Sequence, residues 1–158
     1  MKLITKIRLL TWLFIIALVL SGVTAMPIES ELRWLLQYRN ALPKNISDWL
    51  QQCYSAISDT NNKYPYLAYG YDWLAFAHIV IALSFIGLLK DPVKNIWIIE
   101  WQILCCIAVL PLAIIAGPIR HIPNFHIAVD CSFGLLGLIP LLICRRWIKK
   151  LSIEKPSH

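Results

Sequence analysis

The chain has 158 residues, 58% of them hydrophobic and 15% charged, with 15 Lys and Arg against 9 Asp and Glu and a formal net charge of +6. Soluble domains carry about 25% charge, so this composition, with a mean hydropathy of +0.62, excludes an ordinary soluble domain and points to a bilayer. The basic residues flank apolar runs and form no groove-sized patch, which argues against nucleic acid as a partner.

A helix needs about 20 apolar residues to cross the hydrocarbon core. The runs 9–25, 71–89, 96–116 and 125–144 qualify, and the rest is too short for a second folded domain. The expectation is a single all-α transmembrane domain over 1–158. It is a four-helix bundle with an outer loop over 26–70 and a cytoplasmic tail over 145–158. Ten basic residues fall on one side: Lys2, Lys6, Arg8, Lys90, Lys94, Arg145, Arg146, Lys149, Lys150 and Lys155. The other side receives five, namely Arg33, Arg39, Lys44, Lys63 and Arg120. Positive residues favour the cytoplasm, so both termini are expected there.

The first run has two readings. Lys2 to Arg8 fits a basic n-region, Leu9 to Leu20 an apolar h-region and Val23-Thr24-Ala25 a cleavage site. Against cleavage, the apolar run reaches the upper end of an h-region's length, which favours a retained span.

In the outer loop, Ile28, Leu32, Leu35 and Leu36 recur at helical spacing. Ile46, Trp49, Leu50, Cys53 and Ile57 do so again after Pro43. Proline cannot continue a helix, so two short amphipathic helices are expected with a break between them, lying at the membrane interface. Ser47 reads as the N-cap of the second. Trp34, Trp49 and Tyr54, then Tyr64, Tyr66, Tyr69 and Tyr71, fall where an aromatic belt lies. Asn45-Ile46-Ser47 also fits a glycosylation sequon, a weak three-residue match.

Ionisable groups inside spans are the candidates for a site. At about 1.5 Å per residue, His78 lies roughly 10 Å below the outer boundary at Tyr71, and Asp130 roughly 8 Å below Phe125. His126 sits one turn above Asp130 on the same helix face. Ala75 and Ala82 flank His78, and Gly134 and Gly137 continue the stripe of Asp130. Small residues let helix backbones approach, so the two seams are expected to face each other with His78 meeting Asp130. The bland role is a packing hydrogen bond. The others are a proton or ion relay, or a metal or redox site on the two histidines and one carboxylate. Haem is disfavoured, since the two histidines differ in depth by about two helical turns or slightly less. No cofactor, substrate or reaction is legible.

Lesser candidates surround this seam. Asp72, at the outer boundary of the second span, is either solvated or paired with Arg120. The string Gly117-Pro118-Ile119-Arg120-His121-Ile122-Pro123 reads as a stiff outer turn that presents Arg120 to headgroups or anions. Glu100 lies one turn inside the cytoplasmic end of the third span, within reach of a snorkelling Lys94 or Lys90. Asp91-Pro92 reads as a turn and helix start, and Pro111 as a kink. The five cysteines show no C-x-x-C spacing, and Cys53 has no loop partner for a disulfide. A phosphate-binding glycine loop, a zinc-protease helix motif and a nucleophile elbow are all missing from the sequence.

The strings Asp72-Trp73-Leu74-Ala75-Phe76-Ala77-His78, Gly117-Pro118-Ile119-Arg120 and Asp130-Cys131-Ser132-Phe133-Gly134 resemble those of small, uncharacterised bacterial multi-span proteins. The likeness covers most of the chain, 21–32 included. It implies a bacterial inner membrane and nothing about chemistry. Beyond the lipid bilayer, a second copy or another membrane protein is left open as a partner; a transporter this small would require an oligomer.

Overall fold

The structure is a computed structural model and describes residues 2–154. Lys155, counted in the basic tail, lies outside the described residues. Seven α-helices follow one another with no strand among the described residues: α1 (Leu3–Ala25), α2 (Ile28–Leu36), α3 (Lys44–Lys63), α4 (Ala68–Ser84), α5 (Ile86–Lys90), α6 (Ile96–Ile119) and α7 (Asn124–Glu154). Four segments are long and apolar enough to cross a membrane: α1, Pro65–Lys90, α6 and α7. Only 11% to 22% of the residues in their most apolar stretches are buried. Leu9, Leu13, Leu104, Leu112, Ile115 and Leu136 all stand more than half exposed. A soluble monomer rarely carries so continuous an apolar surface. Hydrocarbon is the solvent that this surface fits.

The outer segment breaks where the sequence places the break. A short 3₁₀ stretch (Arg39–Ala41) closes at Leu42, and Pro43 stands as the N-cap of α3, so Ser47 is a residue within the helix and not the cap. A proline fits there because its fixed φ suits a helix start and its missing N–H costs no hydrogen bond. The second span is α4 and α5 joined through Phe85, whose ring is fully buried and stacks on Phe14 with centroids 5.6 Å apart.

Contacts divide the chain into two compact units, one of Met1–Phe14 with Ser84–His158 and one of Ile15–Leu83. In the first, α6 and α7 pack together, as the four-residue connection from Arg120 to Pro123 requires of antiparallel neighbours. Its core holds Ile7, Phe85, Leu88, Ile98, Ile99, Leu141, Cys144 and Ile148, all 2% exposed or less. The helix that carries the fourth apolar run does not stop at Cys144. Leu141, Cys144, Ile148 and Leu151 keep one buried face at spacings of three and four, and this carries α7 through its basic residues to Glu154.

The outer turn is shorter than expected. The helix α6 runs through Gly117 and Pro118 and ends at Arg120. His121 adopts a left-handed φ of 57°, and the N–H groups of His121 and Ile122 reach back to the carbonyls of Pro118 and Gly117. This is a Schellman closure, which satisfies carbonyls that the helix end leaves open. At the other end, Asp91-Pro92 makes a turn but not a helix start. Asp91 Oδ1 accepts the N–H groups of Val93 and Lys94, and α6 begins only at Ile96. Asn95, the residue before it, donates its amide to the carbonyls of Gly87 and Asp91 and ties the turn back to α5.

The small residues approach neighbours other than those the sequence suggests. A Cβ added at Gly134 would stand 2.7 Å from the backbone carbonyl of Cys106 on α6, and one at Gly137 3.2 Å from the Cys106 thiol. In the other unit, a Cβ at Gly22 of α1 would stand 2.6 Å from the carbonyl of Ala75 on α4. Each stripe thus serves a helix of its own unit. Gly134→Ala is therefore expected to destabilise by roughly 1–3 kcal/mol, because a rigid backbone stands in the way. Gly137→Ala should cost less, since a side chain can rotate aside. Gly70→Ala, with open space around it, should stabilise by up to about 1 kcal/mol. Unfolding of the three variants in mixed micelles checks the order, and equal effects at Gly134 and Gly70 would refute the close approach.

Candidate functional site

Several polar side chains that sit within the spans turn back on their own helix. Thr11 Oγ1 donates to the carbonyl of Ile7 at 2.9 Å, and Ser132 Oγ to that of Val129 at 2.6 Å. His78 Nδ1 lies 3.0 Å from the carbonyl of Leu74. A carbonyl only accepts, so this contact requires the proton on Nδ1 and leaves Nε2 as the outward-facing ring atom. The back-bond is available because residues i and i−4 share a helix face.

On α7, His126 Nε2 and Asp130 Oδ1 are 3.8 Å apart, both side chains a little over 40% exposed. The i,i+4 alignment read from the sequence is present, at ion-pair distance and beyond hydrogen-bond length. His78 belongs to the other unit, and its pairing with Asp130 is a proposal. Within neither unit do three His, Cys, Asp or Glu side chains come together as a metal-ligand group among the described residues, so the metal or redox reading has no ligand cluster behind it there.

Asp72 is half-buried beside an open hollow of about 330 Å³ that it lines with Met26, Tyr69, Trp73 and Phe76. Arg120 is exposed at the end of α6, in the other unit. Glu100 takes a partner that the sequence reading did not name. Arg145 reaches it with Nε at 2.9 Å and Nη2 at 2.8 Å, while Lys94 stands 3.9 Å from Asp91. The reason is register: antiparallel packing brings the extended α7 beside α6 at this level, whereas Lys94 precedes α6. The expectation missed Arg145 because it ended the fourth span at Cys144. Gln102 on α6 is buried, and its Nε2 has no hydrogen-bond partner among the described residues.

Outside the spans a polar chain emerges that sequence reasoning did not find. Asn61 on α3 donates to Glu29 Oε2 on α2 at 2.8 Å, and its own Oδ1 accepts from the Tyr71 hydroxyl on α4 at 2.8 Å. Arg33 pairs with Glu29 at 3.3 Å and lies 5.9 Å over the Tyr54 ring. The i,i+4 spacing of Glu29 and Arg33 was a visible signal. The long-range partners Asn61 and Tyr71 left none. The Asn61 hydrogen bond, and then that of Ser58, hold the Glu29 carboxyl below its ordinary range, with Arg33 adding a smaller pull. Burial pushes the Cys53 thiol up. All five cysteines are free thiols.

The N-terminal end of α1, the turn between α5 and α6, and the last residues of α7 meet around one hollow of about 630 Å³. Lys2, Lys90 and Lys94 line it. Three segments assigned to one side of the membrane on charge alone are therefore neighbours. No protein-family model matches the chain, and neither does any curated protein or solved structure.

A carboxyl held low in the fold stabilises fully above its unfolded value, about 4.3 for Glu, and loses that contribution as pH falls through the lower folded value. The packing of α2 on α3 should loosen on acidification below about pH 4. Glu29→Gln should flatten this part of the profile. Hydrogen exchange across 26–64 measures it, and an unchanged acid profile in the variant would count against the network.

Proposed function

We propose that the chain is a multi-pass inner-membrane protein of bacterial type, with both termini in the cytoplasm and no catalytic role. Its polar groups on the second and fourth spans serve helix packing. The observation that carries the reading is the hollow shared by Lys2, Lys90 and Lys94, because a common basic end is what positive-inside orientation requires. The exposed Trp34, Tyr64, Tyr66 and Tyr69 support an outer aromatic belt, with α2 and α3 lying at the interface as amphipathic helices.

Within this reading His78 meets Asp130. Similar depth supports the pairing, as does the cost of leaving a carboxylate against lipid, about 2.5–3.5 kcal/mol at a span centre. The close approaches of Gly22 and Gly134 lend it nothing, since each is taken up inside its own unit. With Nδ1 donating to Leu74, His78 offers Nε2. A neutral Nε2 and a carboxylate both accept, so the pair needs one proton, carried by the ring or by the carboxyl.

Orientation is tested with a thiol reagent that cannot cross the membrane. In intact cells Cys53 should be labelled, slowly because the raised thiol is seldom ionised, and Cys53→Ser should abolish the signal. Labelling of Cys144 with Cys53 silent would reverse the topology. The pairing is tested by a double-mutant cycle of His78→Ala and Asp130→Ala. Coupling should exceed the roughly 0.6 kcal/mol average for an interhelical bond in a membrane, and strictly additive effects would dismiss it.

A further inference from the structure

The hollow at the basic end has a composition that packing does not require. Lys2, Lys90 and Lys94 come to it from three separate segments, while Leu3 and Leu151 give it apolar walls. Two carboxylates also reach it. Asp91 is engaged by the backbone N–H groups of Val93 and Lys94 and sits 3.9 Å from Nζ of Lys94, and Glu154 stands 3.9 Å from Lys150. Lys2 and Lys90 have no carboxylate partner among the described residues. Two lysines without a carboxylate partner thus share the lining of one pocket with Leu3 and Leu151.

We propose that this hollow binds an anionic phospholipid, its phosphate held by Lys2 and Lys90 and the start of its acyl chains lying against Leu3 and Leu151. Basic pockets among transmembrane helices on the cytoplasmic side suit such headgroups. The lining includes no aromatic ring on which a nucleotide base could stack, so a soluble nucleotide fits less well. The volume, about 630 Å³, falls in the range of small-molecule sites. The inference rests on the bilayer reading and not on the pairing of His78 with Asp130.

The test is native mass spectrometry of the full chain purified in mild detergent, offered equal amounts of phosphatidylglycerol and phosphatidylethanolamine. Phosphatidylglycerol should be retained preferentially. Lys90→Gln should weaken retention about fivefold, the worth of one lysine near an anionic surface, and adding Lys2→Gln should weaken it further. Lys149→Gln removes the same charge from the same end but does not line the hollow, and should leave retention unchanged. Equal loss in Lys149→Gln would show general attraction in place of a site. Equal retention of both lipids, or displacement by millimolar inorganic phosphate, would overturn the phospholipid assignment. The same spectra report the mass of the mature chain, and a chain lacking 1–25 would remove Lys2 and end the proposal. Loss of lipid preference with Cys53 still labelled from outside would strike this site alone and leave the topology standing.

Discussion

Hydrocarbon offers no hydrogen-bond partner, and the rest of this structure follows from that constraint. Each backbone N–H and C=O in such a solvent must be satisfied within the chain, and all four segments long and apolar enough to cross a membrane are helices. The same demand falls on side chains. Thr11, Ser132 and His78 meet it with the carbonyl three or four residues back, and Glu100 with Arg145. None of the three back-bonds needs another helix, so a polar residue in a span is not by itself a sign of a site.

Packing in such a solvent gains little from burying apolar surface, because lipid tails are as apolar as leucine. Close backbone approach therefore has to supply contact. Gly134 gives α7 access to the carbonyl of Cys106, and Gly22 gives α1 access to that of Ala75. Toward the basic end the logic changes. Leu141, Cys144, Ile148 and Leu151 continue one buried stripe, and Lys6 lies 5.9 Å over the Trp147 ring. There α7 no longer needs lipid on its outer face, and Arg146, Lys149 and Lys150 are exposed.

The spans were legible because apolar length is a local property, and so was the break at Pro43, where the missing N–H acts within one residue. The end of the last helix was not legible from charge, which appears at Arg145 while the buried periodicity runs on to Leu151. Ser47 has a cap's chemistry, yet Pro43 sets the helix start four residues earlier. The bond from Glu29 to Asn61 spans 32 residues, and that from Glu100 to Arg145 spans 45. Partners so distant are decided by packing, and composition carries no trace of them. The small-residue stripes are less legible for a related reason. A stripe announces a close neighbour but does not say which helix that neighbour will be.

Gln102 shows where the packing account runs short. A buried amide whose partner is missing costs about 1–3 kcal/mol, while an apolar side chain of similar shape costs nothing of the kind. Its Nε2 is enclosed and meets no described acceptor, unlike Thr11, which is buried more deeply still but bonded to Ile7. The difference lies in reach. A hydroxyl on Cβ can fold back to the preceding turn, whereas a carboxamide two carbons further out projects beyond its own helix. The hydroxyls of Thr11 and Ser132 are therefore closed local systems. The longer side chains, Gln102, Glu100 and Arg145, must take their partners from outside their own turn. Glu100 and Arg145 find each other because the antiparallel packing of α7 on α6 brings them level.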